Sequence, residues 1–272
     1  MKVARIAGES PDYTIAVVGR ALDILEALAG SDVPLGASDV ARRAGATKSA
    51  TYRLLATLEQ RGYVVKDPVT AQYRLGTRLA YLGQRSLSTL DLRQVARPLL
   101  EDLHQRYHET VNLGVPDGDG GQIVYIDMLE SDQGLRMAAH LGGRDAMHCT
   151  ALGKAILANL PPARREPVLA GPLARRTPAT ITEPAALRVE LEGVRARGLA
   201  EDRGENEVGA RCVAAPIFDH TGAVVAALSV SAPASRLDDA RAAEIATAVR
   251  AAADDITRRL GGAMWERGSV GA

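Results

Sequence analysis

The sequence predicts an α/β chain of two domains: a small N-terminal winged helix-turn-helix, then a linker helix, then a larger α+β unit. Three observations carry this. Three short helical patterns run straight into a hairpin pattern within residues 16–76, a helical apolar stripe continues from residue 77, and beyond it strand-like runs alternate with helical ones. A length of 272 residues with 46% hydrophobic content suits one medium domain and one small one. The divisions read as a tail over 1–15, the winged unit over 16–76, the linker helix over 77–90 and the larger domain over 91–272.

Residues 16–29 (AVVGRALDILEALA) space Val18, Ala21, Leu22, Leu25 and Leu28 three and four apart, an amphipathic helix closed by Gly30. After SDVPLG, Ser38 is the expected N-cap of a short second helix, SDVARRA, which turns Val40, Ala41 and Ala44 inward. Gly45 permits a tight turn into a third helix, from Thr47 through TKSATYRLLATLEQRG, with Thr51, Leu54, Leu55 and Leu58 on one face and Gly62 at its end. The runs YVVKD and QYRLG, separated by residues 67–71, then read as a hairpin. Two helices joined through Ala44-Gly45-Ala46, with a wing directly after the second, point to DNA.

Charge agrees. The formal net charge is zero, yet between Val40 and Arg78 eight Lys and Arg residues face two acids, +6 locally, so the remainder of the chain carries −6. A basic segment within a neutral chain suggests a local polyanion-binding surface, with a solvated basic face as the alternative. Thr47, Lys48, Ser49, Tyr52 and Arg53 project from the start and outer face of the third helix. Arg53 can fork two donors onto guanine, and Lys48 with the first helical amides suits phosphate; packing for Tyr52 and a phosphate contact for Arg53 are the other readings. Arg42, Arg43 and Arg74 read as DNA-backbone contacts or as solvated side chains.

From Thr77 to His108 the pattern is helical, with Leu79, Leu82, Leu92, Val95, Leu99 and Leu103 in a stripe broken at residues 86–89, and with Pro98 expected to kink the second part or sit in its first turn. Such a stripe is best buried against its copy in a second subunit, which reading paired half-sites also requires, so a homodimer or tetramer is expected. Further on, VNLGV and QIVYIDML read as strands, CTALGKAILANL and EPAALRVELEGVRARG as helices, CVAAPIFD and AVVAALSVSA as a hairpin about HTG, and residues 235–261 as a long C-terminal helix. A central antiparallel sheet flanked by helices is the economical architecture.

Composition removes other classes. No run approaches the roughly 18 to 20 apolar residues of a membrane span, and MKVARIAGESPDY lacks the apolar run of a signal peptide, so a cytoplasmic protein away from membranes is expected. Cys149 and Cys212 lie far apart with no C-x-x-C spacing, so neither a disulfide framework nor a zinc site is suggested, and no cofactor is expected. In the larger domain, His148-Cys149-Thr150-Ala151-Leu152-Gly153-Lys154 opens an apolar helix whose free amides can hold a carboxylate; Thr150 adds a hydroxyl, and Ala151 is small enough to admit a ligand. Ser229 and Ser231, two apart on a strand, share a face, as do Cys212 and Ala214 on its partner. Met128, Leu135, Met137, His140 and Met147 are candidates for an apolar lining. An enzyme using Cys149 or Cys212 with His148 or His140 is the rival reading, weakened because neighbours on a helix do not face each other and no third orienting group is evident. A metal on His148, Cys149 and Asp202 lacks any short ligand spacing. A constitutive DNA-binding protein with a purely structural second domain is a third reading.

With these elements in order, the sequence resembles the isocitrate lyase regulator (IclR) family of bacterial transcription factors. The resemblance runs from VGRALDILEAL through VPLGASDVARRAGATKSATYRLLATLEQRGYV, YRLGTRLAYLG, HCTALGKAILA and RGLAEDRGENEVGARCVAAPIFDHTG to VVAALSVSAP. It implies a winged helix-turn-helix joined by a linker helix to an effector domain similar to the GAF fold, assembled as dimers or pairs of dimers. It further implies a regulator that represses or activates catabolic genes, here expected to be a repressor, controlled by a small-molecule effector such as an organic or aromatic acid. Effector-binding positions of the family map onto Thr150, Ala151, Asp202, Cys212, Ser229 and Ser231. Each also has a plain structural reading: Asp202 as a turn acid, Cys212 as a small core residue, the serines as satisfied hydroxyls.

Overall fold

The computed structural model describes residues 15–87, 91–118, 121–134 and 140–262. The chain divides into two compact units, residues 1–89 and 90–272.

In the first unit, α1 (Ala16–Ala29), α2 (Ala37–Arg43) and α3 (Lys48–Gln60) precede a two-stranded antiparallel hairpin of β1 (Val64–Lys66) and β2 (Tyr73–Leu75), and α4 (Thr77–Leu87) follows. Ile24, Leu28, Leu35, Val40, Leu55, Val64 and Tyr73 form its core. The inward face of α1 matches the expected one in part: the expected Leu28 is buried and Leu25 packs against this core, joined by Ile24, which was not expected, while Val18 and Leu22 stay more than half exposed. Both sets have helical spacing, and only packing against α2 and α3 selects between them. The N-cap of α2 is Gly36 and not Ser38, because the helix begins at Ala37, two residues before the start that a Ser38 cap implies. Gly45, at φ +59°, makes the turn between α2 and α3 in the left-handed region open to glycine. Thr47 caps α3 by accepting a hydrogen bond from the Ala50 amide at 3.3 Å.

The second unit begins with α5 (Leu92–Tyr107), in which Pro98 lies in the second turn. A six-stranded sheet follows, built from β3 (Thr110–Pro116), β4 (Gln122–Leu129), β5 (Arg144–Ala146), β6 (Ala200–Asp202), β7 (Ala210–Phe218) and β8 (Val224–Pro233). Its order is β5-β4-β3-β8-β7-β6, with every neighbouring pair antiparallel. Between β5 and β6 come α6 (Ala151–Leu157), α7 (Pro162–Ala170) and α8 (Pro184–Arg197), and α9 (Asp239–Arg259) closes the described chain. The expected helix CTALGKAILANL is thus shorter at both ends, and β5, α7 and β6 are additions that sequence patterning did not mark.

The period-two alternation of the strands sorts side chains onto two faces. Val111, Leu113, Val213, Leu228 and Val230 enter one core with α5 and α9. Ile123, Tyr125, Ala214 and Ala227 enter the other with α6 and α8. Across the central strands Asn112 lies opposite Ser229, Ala214 opposite Ser229 on the other side, and Cys212 opposite Ser231. A band of small and polar residues therefore faces α6 in the middle of an otherwise apolar sheet.

Candidate functional site

Two surfaces carry chemistry, one in each unit. On the first, Lys48, Ser49, Tyr52 and Arg53 are all exposed on α3, at positions that stack two by two, Lys48 under Tyr52 and Ser49 under Arg53. None of the four side chains has a hydrogen-bond or ion-pair partner among the described residues, so their donors are free for an outside acceptor. Arg42 differs, because it is paired with Asp39 at 2.5 Å. Arg43 reaches the carbonyl of Gly30 at 3.5 Å, and the Thr47 hydroxyl is engaged in the cap. Arg74 is exposed on β2 opposite Val65. The Asp67 carboxylate accepts the amides of Val69 and Thr70 at 2.8 Å each, which fixes the wing tip and holds its own pKa below the usual carboxylate range.

On the second, a cavity of about 200 Å³ lies over the polar band of the sheet. Thr150, Ala151, Asp202, Cys212, Ser229 and Ser231, all singled out from sequence, line it together. Thr150 caps α6: its hydroxyl donates to the Ala146 carbonyl at 2.9 Å and accepts the Gly153 amide at 3.1 Å. A Cβ on Gly153 would stand 2.3 Å from the Met147 Cα, so glycine is required for the helix start to seat against the residues before it. Asp202, at the end of β6, accepts the Glu205 amide at 2.6 Å. Burial pushes its carboxyl up to about 6, against the pull of that and two neighbouring amides and of the Lys154 charge.

Other expected positions fall elsewhere. The His148 ring is turned away from the cavity: its Nε2 stands 3.0 Å from the Ala174 carbonyl and therefore donates to it, and the ring borders a separate depression beside α7. Burial lowers its pKa. Met147 is sealed in the core with α6. Met128, half-buried, is no part of the described lining, whereas His140 is. Leu135 and Met137 lie outside the described residues.

Several lining residues were not anticipated: Asn112, Tyr125, Arg144, Asp145, Asn206 and Glu207. Tyr125 donates to Asp145 at 2.8 Å, and the Asn112 amide donates to Ser229 and Ser231 at 3.4 and 3.2 Å. An asparagine in the apolar run VNLGV was the available signal. The wall formed by residues 203–209 is pinned from behind: Thr177 and Thr180 donate to the carbonyls of Gly204 and Glu205 at 2.6 Å each, and the buried Lys154 ammonium pairs with Glu205 at 2.5 Å and Glu190 at 3.2 Å.

A nucleophilic role for the cysteines fits this environment poorly. Burial pushes the Cys149 thiol up to about 12 and raises that of Cys212 as well. Among the described residues no cluster of three or more His, Cys, Asp or Glu could hold a metal ion. No described helix is long and apolar enough to cross a membrane.

A free cationic helix face in a winged helix-turn-helix, and a polar cavity in an attached α/β domain, define a transcriptional regulator that binds DNA. The comparisons agree: a model of the IclR helix-turn-helix domain matches residues 17–68, and one described as bacterial transcriptional regulator IclR C-terminal matches residues 84–258. The chain is 37% identical over 248 residues to the HTH-type transcriptional regulator XynR of Escherichia coli K12, covering 91% of this chain and 98% of that one. With KdgR of the same organism it shares 35% over 254 residues, covering 93% and 95%. It also resembles the crystal structure of an IclR transcriptional regulator from Silicibacter, with TM-score 0.82 and 33% identity over 93% of this chain and 99% of that one. An IclR homolog from Microbacterium hydrocarbonoxydans complexed with 4-hydroxybenzoate matches at TM-score 0.58 and 31% identity, over 90% and 98%. This chain belongs to the IclR family of bacterial transcriptional regulators.

Proposed function

We propose that the protein represses a catabolic operon as a homodimer or a pair of dimers, and that a small organic acid held in the cavity changes its affinity for the operator. The single observation carrying this reading is the convergence of Thr150, Ala151, Asp202, Cys212, Ser229 and Ser231 on one cavity. In the DNA complex, Tyr52 and Arg53 read base edges, Lys48, Ser49 and Thr47 position the helix start on phosphate, and Arg42, Arg43 and Arg74 contact the backbone. Dimerisation is supported by exposed apolar side chains on two helices of the first unit, Val18 and Leu22 on α1 and Tyr81 and Leu82 on α4, which a second copy would cover. The acid is supported by the 4-hydroxybenzoate held by the Microbacterium homolog. No catalysis is assigned, in keeping with thiols held protonated and with relatives named as regulators. A cytoplasmic location is in keeping with binding DNA.

Thermal stability against a panel of aliphatic and aromatic acids tests the reading. A compound at a hundred times its Kd stabilises by about 2.7 kcal/mol, a shift of several degrees. The shift is expected to vanish in a Ser229→Ala/Ser231→Ala variant; an equal shift there would place the ligand elsewhere.

A further inference from the structure

We infer that the depression beside α7, apart from the effector cavity, binds an apolar α-amino acid as its zwitterion. The depression encloses about 350 Å³ and shares no described lining residue with that cavity. The two linings also differ in charge. Asp145, Asp202 and Glu207 border the effector cavity, whereas among the described residues no carboxyl borders the depression, whose charged group is Arg176.

Arg176 suits a carboxylate. None of its guanidinium N–H groups has a hydrogen-bond partner among the described residues, and its ion pair with Asp145 is 3.9 Å long. Its backbone is held, because the Thr180 hydroxyl accepts the Arg176 and Thr177 amides at 3.0 and 2.8 Å. A planar fork with its donors free takes a carboxylate through two parallel hydrogen bonds.

The remaining polar groups call for a donor. His148 is only 4% exposed and spends its Nε2 hydrogen on the Ala174 carbonyl, so in the neutral ring Nδ1 is an acceptor, and it has no partner among the described residues. Burial, with the Arg176 charge adding to it, lowers the pKa of the ring and favours that neutral form. On the same rim α7 ends at Gly171, and the last turn of a helix carries unsatisfied carbonyls and the negative end of the dipole. An ammonium group brings three donors and the complementary charge. Val168, Pro172 and Leu173 supply an apolar wall for the side chain of the ligand. An acid lacking the amine leaves Nδ1 and the end of α7 unanswered, and an amine lacking the carboxylate leaves Arg176 so. The zwitterion answers both.

Calorimetric titration of the full-length protein tests this with L-valine, L-leucine and L-phenylalanine, each beside the acid lacking its amino group and the amine lacking its carboxylate. The ranking is read in the Ser229→Ala/Ser231→Ala variant as well as in the native protein, so that an acid held in the effector cavity is told apart. The tightest amino acid is expected to bind at least about tenfold more tightly than either analogue in that variant, and to keep its native affinity there within about threefold. Arg176→Gln is expected to weaken it at least about tenfold. Nuclear Overhauser contacts from the bound side chain to the methyl groups of Val168 and Leu173 are expected in the native protein, which locates the ligand without any variant. An analogue binding as tightly as its amino acid in the serine variant, binding that survives Arg176→Gln unchanged, contacts to other methyl groups alone, or no binding by any of the three amino acids would each overturn the inference.

Discussion

The two functional surfaces hold their charges in opposite ways. On α3, Lys48 and Arg53 stand exposed and unpaired, each on a helix fixed only by its inner face and its Thr47 cap. In the second unit, Lys154, Asp202 and Glu205 are nearly withdrawn from water and are bound to one another and to backbone amides. A surface that meets a polyanion needs its donors free and its counter-ions exchangeable. A wall that shapes a cavity needs its charges locked. The contrast predicts that substitutions in the first unit change what the protein binds, whereas those in the second change whether the wall is there to bind with.

Lys154→Ala should give the largest effect, because it leaves two carboxylates facing each other, one of them buried. A loss of about 3–5 kcal/mol in chemical denaturation is expected, with part recovered on adding Glu205→Gln. A loss under 1 kcal/mol would mean that the pair is not locked.

Asp202 gives the next. Its folded carboxyl titrates at about 6 against an unperturbed 3.8, so the folded chain binds more protons between those values and stability falls as pH rises from about 4 through 6. The span corresponds to about 3 kcal/mol. Asp202→Asn, which keeps the acceptor for the Glu205 amide, should flatten that slope in pH-dependent melting, leaving the part due to Glu205, whose carboxyl burial also raises. An unchanged slope would return Asp202 to ordinary titration.

On α3, Arg53→Ala should lower discrimination between selected and random duplexes by about 1–3 kcal/mol without moving the melting temperature, while Lys48→Ala should weaken all duplexes alike and reduce the salt slope by about one. The smallest effect belongs to Arg42→Ala: its pairing with Asp39 is exposed and contributes less than about 1 kcal/mol of stability. A larger change in denaturation would show that α2 depends on it.

The same contrast governs what could be read from sequence. The α3 face follows from residue type and helical period, so Lys48, Ser49, Tyr52 and Arg53 were all legible. The strand pleat likewise made Ser229, Ser231 and Cys212 legible as a shared face. Asn206 and Glu207 were not, because Thr177 and Thr180, distant in sequence, hold the neighbouring Gly204 and Glu205, and Tyr125 and Asp145 were not, because the short strand β5 that pairs with β4 carries no strand pattern. His148 and Met147 do not join Thr150 and Ala151 at the cavity, because His148 bonds the distant Ala174 carbonyl and Met147 packs into the core with α6. In α1 the expected Leu25 and Leu28 do reach the core, and packing chose Ile24 over Val18 and Leu22 to complete the buried face.

The proposed regulation requires the cavity and the recognition helices to be coupled. Affinity for a duplex selected by the protein itself from a randomised pool, measured with and without the tightest cavity ligand, tests it most directly. A change of about 5–150-fold is expected in the native protein, abolished in the Ser229→Ala/Ser231→Ala variant while ligand-free DNA affinity is kept. Equal DNA affinity with the cavity full or empty would contradict it.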